Sequence, residues 1–389
     1  MEIYLVGGAI RDTRLGLPVK ERDWVVVGAT PQDMLELGYQ PVGKDFPVFL
    51  HPKSKEEYAL ARTERKTGHG YTGFETCADP GITLEQDLLR RDLTINAMAE
   101  TPEGELIDPY QGMDDLNNGV LRHVSPAFSE DPVRVLRTAR FAARFAPQGF
   151  HVAHDTNALM RRMVQNGEVS HLVAERVWAE LVKALDTETP ARFFKVLAGC
   201  GALEVLFPEL APADATENDH GQPGIALPVL EQAVTLSTRT TIRFAALTCD
   251  MDNLNPGSLD DDALTSFCGR YRAPNACREL ARLALQQRQR LQSATDLSAE
   301  ALLTLLNSAD AFRRADRFAE LLLVCTADAA ANQRQFNSDY LQQALAAAQS
   351  VGTAALQQQG LSGKELGQAL QQKRIEAIEH LSQPTRRNQ

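Results

Sequence analysis

The chain has 389 residues, of which 43% are hydrophobic, and a formal net charge of −11. That length supports a sizeable core and two or more domains, while the acidic balance argues against a uniformly basic nucleic-acid binder and leaves room only for local basic lanes. No apolar run approaches the ~20 residues a bilayer crossing needs, no secretory leader opens the chain, and the six cysteines lack the CxxC spacing of a zinc or disulfide framework; a soluble cytoplasmic protein is the expectation.

The first element is a short apolar strand closing on Leu5 and Val6, followed by Gly7, Gly8 and a helix start that carries Arg11. Paired glycines let backbone come close to a ligand, and peptide N–H groups at a helix start hold phosphate oxygens, to which an arginine adds a fixed cationic fork. A second strand, running on into the apolar WVVV, carries Glu21 and Asp23. Two residues apart on extended chain, these acids share one face and are placed to share a divalent cation. Thr30, Pro31 and Asp33 mark a capped helix that Gly38 ends, and FPVFLHP and EEYALAR read as two strands joined by a polar turn at Lys53 to Lys55, with Glu57 on the second. Arg62, Arg65 and Lys66 form a basic cluster, and residues 64–80, with three glycines, read as a mobile surface loop.

Thr83 and Gln86 have capping-box spacing ahead of the segment RRDLTINA, which holds Arg90, Arg91 and Asp92. Beyond residue 130 the chain reads as helical. At 100° per residue, SEDPVRVLRTARFAARF puts Val135, Leu136, Ala139, Ala142 and Ala143 on one side and Asp131, Arg134, Arg137 and Arg140 on the other, so one face is buried and a polar one presented. LVAERVWAELVKAL at 172–185 is a further amphipathic helix whose Glu175 and Arg176 are read as structural. Residues 211–224 look like an exposed linker or insertion, and downstream runs such as LQQALAAAQ are helices with no evident chemistry.

In this order, GGxxRD, the acidic strand, RRDLTINA, the element Asp108-x-x-x-Gly112-x-x-Asp115-Leu116 and EDxxR (Glu130, Asp131, Arg134) resemble the class II tRNA nucleotidyltransferases, the CCA-adding and poly(A) polymerase group of the polymerase β superfamily. The match runs from residue 4 to about residue 210 and looks closest to CCA-adding enzymes of gamma-proteobacterial type; over the rest it is confined to a helical body and a GLSGKELG tail element. The resemblance implies an α+β fold: a nucleotidyltransferase head of mixed sheet and helices over residues 1–125, a helical neck over 126–210 and a helical body and tail over 211–389 that binds tRNA. It implies addition of C, C and A to the 3′ end of tRNA from CTP and ATP without a template, with Mg²⁺ held by Glu21 and Asp23 and with Glu57 as a third carboxylate. Gly8, Arg11, Arg91, Arg137 and Arg140 would hold the triphosphate, Asp131 and Arg134 would read the Watson–Crick edge of the incoming base, and the Asp108 element would be a hinge between head and neck.

Two departures stand out. The family's strand carries Asp at both metal positions, where this chain has Glu21 at the first; one methylene moves a carboxylate by roughly 1.5 Å, and a misplacement of about 1 Å can cost on the order of 10²-fold in rate. In related chains the body carries an HD phosphohydrolase centre, whereas here the matching string is ALTCDMDN, with Cys249 at the ligand histidine. No phosphohydrolase activity is expected, and Asp250 and Asp252 are read as helix-end or surface acids. A poly(A) polymerase or a CC- or A-adding enzyme shares the fold, and a catalytically impaired RNA-binding protein is the reading from another class.

Overall fold

The computed structural model describes residues 1–42, 48–66, 74–211, 226–257, 259 and 261–382. The chain divides into two compact units, the first running Met1–Ala211 and the second continuing from Ala226.

In the first unit, β1 (Glu2–Val6) runs antiparallel to β2 (Asp23–Val27), with α1 (Gly8–Arg14) between them. After α2 (Pro31–Glu36) come β3 (Gln40–Val42), β4 (Val48–Leu50) and β5 (Glu57–Leu60), the last lying parallel to β2. α2 starts on a full capping box: the Thr30 hydroxyl accepts from the Asp33 N–H, and the Asp33 carboxylate accepts from the Thr30 N–H. β6 (Thr63–Lys66) and β7 (Phe74–Cys77) pair antiparallel, so the glycine-rich stretch expected as a loop is flanked by a two-stranded ribbon. Its glycines masked the strand signal, and residues 67–73 between them lie outside the described residues. α3 (Leu84–Leu89) opens on the expected Thr83–Gln86 box and leads through residues 90–98 to β8 (Ala99–Glu100) and β9 (Leu106–Ile107). Among the described residues the sheet has seven strands in the order β3-β4-β5-β2-β1-β8-β9.

Alternation along β2 sends Val25 into one apolar cluster with Val6, Leu88 and Ala99, and Val26 into another with Met34, Phe49 and Leu60, so helices and loops cover both faces. α4 (Gly112–Asn117) follows, its first two N–H groups donating to the Asp108 carboxylate at 2.7 and 2.8 Å. A side chain at Gly112 would sit 2.3 Å from the Thr94 carbonyl oxygen, which makes glycine obligatory there. Asp115 accepts from the Thr94 hydroxyl at 2.7 Å and from Arg122 Nε at 3.1 Å. The element expected as a hinge is thus riveted on both sides, within one compact unit.

β10 (Val120–Leu121) pairs in parallel with β11 (His151–Val152), flanking the buried helix α5 (Val133–Arg144). α6 (His154–Gln165), α7 (Ala174–Leu185), α8 (Ala191–Cys200) and α9 (Ala202–Leu206) complete the unit. The second unit is all-helical among the described residues: α10 (Pro228–Leu236), α11 (Thr240–Leu254), α12 (Asp261–Arg270), α13 (Asn275–Gln292), α14 (Ala299–Ser308), α15 (Ala315–Ala331), α16 (Ser338–Ser350), α17 (Ala354–Gln358) and α18 (Gly363–Ser382). The segment read as a linker, 211–224, lies outside the described residues from 212 onward. No described helix is long and apolar enough to cross a membrane.

Candidate active site

The register of the sheet sets the acidic edge. Val6 pairs with Asp23 as the last couple of the β1–β2 ladder, and Asp23 pairs with Glu57 across the parallel β2–β5 ladder. Register partners on adjacent strands share a face about 5 Å apart, so Asp23 and Glu57, 34 residues apart in sequence, become neighbours. Glu21 corrects the expectation of two acids on one strand: β1 turns away at Gly7, the ladder has no partner to offer beyond Asp23, and Glu21 lies exposed just ahead of β2. It still faces the same cleft as the other two acids. Burial pushes the Asp23 carboxyl up, the Arg91 guanidinium opposes this, and the Glu21 charge reinforces it; the net shift is upward. Two acids this close repel each other, Arg91 offsetting the repulsion only in part, and an all-oxygen donor set of this kind suits a hard divalent cation. The described residues contain no cluster of three or more acid, histidine or cysteine side chains already within common reach of a metal ion, so the three acids line the cleft without being drawn together.

Gly7 carries φ +70°, and a side chain there would meet Arg91 Nη1 at 2.8 Å. The glycine is what lets Arg91 lie along the turn. Arg91 is held from behind by Asp87, which is fully buried on α3 and also accepts from Arg90 Nη2 at 2.7 Å. Burial raises the Asp87 carboxyl, but Arg90 and Arg91 more than reverse it, so the acid stays charged and both arginines stay anchored.

α5 lies across the cleft, and its arginines are not the solvent-facing stripe that periodicity implies. Arg134 and Arg140 are buried with the apolar residues, because further elements pack on the polar side of the helix. Arg134 donates to the carbonyls of Ala127 at 2.9 Å and Arg90 at 2.6 Å. Arg137 Nε donates to Asp92 at 2.7 Å, and Arg140 Nε donates to Glu180 of α7 at 2.5 Å. Burial alone would push the Asp92 carboxyl up; the Arg137 guanidinium and the Asn96 amide hold it well below the usual carboxylate range. Arg144 reaches Asp12 at 2.8 Å. Arg11, 3% exposed, hydrogen-bonds Asp12 and Asn96 while its guanidinium lies 5.0 Å from the ring centres of both Phe141 and Phe145. These contacts make it a strut joining α1 to α5.

Asp131 has two partners. Its carboxylate accepts the Val133 N–H at 3.1 Å, capping α5, and takes a two-pronged contact from Arg176 of α7 at 3.0 and 2.7 Å. Arg176, read from sequence as scaffold, therefore belongs to the site. So do Asp87, Asp92, Asn96 and Glu180, which sequence reasoning passed over: each is an ordinary acid or amide until the fold sets an arginine against it. The signal for Asp92 was available in the RRD triplet, while nothing local marks Glu180.

Gly8, Arg11, Glu21, Asp23, Glu57, Arg91, Asp131, Arg134, Arg137 and Arg140 all line one open cleft of about 740 Å³. Acids from the sheet edge stand opposite guanidiniums from α5 and the Arg91 turn, an arrangement suited to holding a polyanion beside a cation-binding edge.

A different polar cluster lies in the second unit. Asp250 on α11 is 1% exposed and accepts the Val229 and Leu230 N–H groups at 3.1 and 2.9 Å, capping α10 from a neighbouring helix. Burial, more than these two hydrogen bonds offset and with the Asp328 and Glu231 charges adding to it, pushes its carboxyl up to about 7. Asp252 pairs with Arg288 of α13 at 2.5 Å. Asp250 is a core group, not the helix-end or surface acid expected, because α10, α13 and α15 close over this stretch of α11; Asp252, partly exposed in the last turn of α11, agrees with that expectation. Cys249 beside them is fully buried, and burial pushes its thiol up to about 12.

A sheet edge with two register-matched acids, facing an arginine-lined helix across a polyanion-sized cleft, is the layout of a nucleotidyl-transferring head. Residues 3–122 match the poly A polymerase head domain family, and residues 149–214 match a family described as the probable RNA and SrmB-binding site of polymerase A. A multifunctional CCA protein from Thioalkalivibrio sulfidiphilus (strain HL-EbGR7) is 51% identical, over 98% of this chain and 98% of its own. Among solved structures, a CCA-adding enzyme in an apo form superposes with a TM-score of 0.68 at 21% identity, covering 99% of this chain and 92% of its own. The Thermotoga maritima CCA-adding enzyme complexed with tRNA does so with a TM-score of 0.66 at 21% identity, covering 97% and 90%. The chain belongs to the CCA-adding enzyme family, whose polymerase β-type chemistry uses a divalent metal.

Proposed function

We propose that this protein completes the 3′ end of tRNA by adding C, C and A in turn from CTP and ATP, with release of pyrophosphate and no nucleic-acid template. The observation that carries this reading is the single cleft in which Asp23 and Glu57 face Arg91, Arg137 and Arg140. Arg91 and Arg137 bind the triphosphate, each held in place by a buried carboxylate, Asp87 and Asp92. Arg140, tied to Glu180, fixes the far wall. Asp131, oriented by Arg176, and Arg134 read the base: a carboxylate accepts, a guanidinium donates, and a wrong base leaves one of them unpaired. Glu21, Asp23 and Glu57 would hold Mg²⁺, which when bound lowers the pKa of the terminal ribose hydroxyl and neutralises charge on the triphosphate.

In this reading residues 1–125 form the catalytic head, 126–210 the nucleotide-selecting neck and 211–389 a body and tail that grip tRNA in the cytoplasm. The body carries no phosphohydrolase activity, since a buried thiol stands where the ligand histidine would be. The test is incubation of the protein with tRNA lacking CCA, supplying CTP and ATP separately and together and reading product length. Three added residues with both nucleotides are expected. Long A tails would mean a poly(A) polymerase, a stop after CC or a need for a CC end a partial-adding enzyme, and no extension a binding protein.

A further inference from the structure

The arginines of the cleft are held in two different ways. Arg134 donates to two carbonyl oxygens and Arg176 to both oxygens of Asp131, and two points of attachment fix the plane of a guanidinium. Arg137 and Arg140 instead donate through Nε to one carboxylate each, Asp92 and Glu180. One hydrogen bond pins an atom and leaves the plane free to swing about it. What both have in addition is a ring: the guanidinium carbon of Arg140 lies 4.2 Å, and that of Arg137 5.7 Å, from the ring centre of Phe141. We propose that Phe141 is a positioning residue for triphosphate binding, its ring face setting the guanidinium planes of Arg137 and Arg140; the inference rests on the function proposed above.

Helical spacing builds the arrangement. Arg137, Phe141 and Phe145 follow one another at i, i+4 and so stand in one row along α5, and the Phe145 ring lies parallel to that of Phe141, with 5.9 Å between centres and 1° between planes. Arg11 of α1 packs its guanidinium against both rings, and that of Arg144 lies 5.1 Å from the Phe145 centre. Guanidiniums gathered this closely repel one another. Burial pulls the Arg140 guanidinium below its ordinary value, Glu180 opposes this, and the Arg137 charge adds to the fall. A phenyl face, negative at its centre, attracts each cation laid on it and lets a planar guanidinium stack, whereas a leucine would fill similar space and offer no such face. Phe141 is buried yet borders the first cleft, so its ring does this at the wall of the ligand volume. The Arg137 side chain, 36% exposed, is the arm that reaches a ligand, and its bond to Asp92 through Nε leaves the two terminal amino groups for phosphate oxygens.

The experiment compares the wild-type protein with Phe141→Leu and with proteins carrying a monofluorinated or a trifluorinated phenylalanine at position 141, since fluorine withdraws negative charge from the ring face and barely alters its size. The readouts are the affinity for inorganic tripolyphosphate by calorimetry and the KM values for CTP and for tRNA lacking CCA, with thermal melts to establish that each variant folds. The expected result is a graded loss of tripolyphosphate affinity, slight with one fluorine, about 3-fold with three and about 10-fold with leucine, matched by the KM for CTP, while the KM for tRNA stays within about 2-fold. Unchanged affinity in the trifluorinated protein, whatever leucine does, would reduce the ring to packing and overturn the assignment, as would a wild-type protein with no affinity for tripolyphosphate. So would a KM for CTP that rises while tripolyphosphate affinity stands still, because the ring would then act on the base. Calorimetry needs no turnover, so a protein that extends no RNA sinks the proposed function and leaves this result readable.

Discussion

Two buried carboxylates, Asp92 in the first unit and Asp250 in the second, show how differently one residue type behaves in two parts of this molecule. Asp92 is 6% exposed and Asp250 1%, so burial penalises the charge of both. Asp92 has a guanidinium against it and stays ionised far below the usual range; Asp250 has two peptide N–H groups and a neighbouring acid, and is pushed up to about 7. The same contrast runs through their surroundings. In the cleft, arginine–carboxylate pairs border an open volume and hold cations towards it. In the helical unit, Arg288 is 4% exposed and closed in against Asp252 and Asp328. Cleft charges are organised for a ligand, core charges for each other.

The contrast breaks first if Asp23 proves structural. Asp23→Ala should lower nucleotide incorporation by at least about 10³-fold while leaving the thermal midpoint within a few degrees, because a half-exposed acid at a strand end holds up little of the fold. Substantial residual turnover would remove the acid edge from the chemistry. The mirror-image test is Arg288→Met, which leaves the buried Asp328 and the partly exposed Asp252 without their guanidinium and should cost about 3 kcal/mol or more in urea unfolding. A change under roughly 1 kcal/mol would mean that the core pair is solvated like a surface one.

Acid and base separate the two carboxylates further. A native carboxyl raised above its unfolded value binds protons that the unfolded chain has released, so between about pH 4 and pH 7 Asp250 makes the fold lose stability as pH rises. Asp92 has the opposite sign: its contribution is present above the unfolded value and lost as pH falls below it. Asp250→Asn should flatten the decline between about pH 4 and pH 7, and an undiminished decline would assign it to other groups. Next in size is Arg176→Lys, which keeps the charge but loses the two-pronged hold on Asp131; discrimination of CTP over UTP should fall about 10-fold, with a smaller change in kcat. Smallest is Glu21→Asp. Since Glu21 lies outside the ladder on exposed chain, its length is readily absorbed, and the rate should stay within about 3-fold of wild type; a rise of 10² would mark the longer side chain as a handicap.

Much of the site was legible because its signals are local. The Gly7–Gly8 turn, the Thr30 and Thr83 capping boxes and the i, i+3 spacing of Arg134, Arg137 and Arg140 all depend on hydrogen bonds and dihedrals within a few residues, which sequence encodes directly. The strands at 63–66 and 74–77 were hidden by glycines, and Glu21 was assigned to a strand that begins only two residues later, at Asp23, because a strand's end is set by its partner and not by its own residues.

Pairing across the chain was beyond such reading. Arg137 with Asp92, Arg140 with Glu180, Arg176 with Asp131 and Arg144 with Asp12 join residues 40 to 132 positions apart. With 40 basic and 51 acidic side chains available, composition gives no preference among couples. Ionic contacts act through space, and helix packing and strand register alone choose which charges meet. The primary structure therefore sufficed for the turns, the caps and the family, whereas the burial of α5 on its arginine side, the neighbouring of Asp23 with Glu57 and the sealing of Asp250 inside a helical core came from the folding of distant segments onto one another.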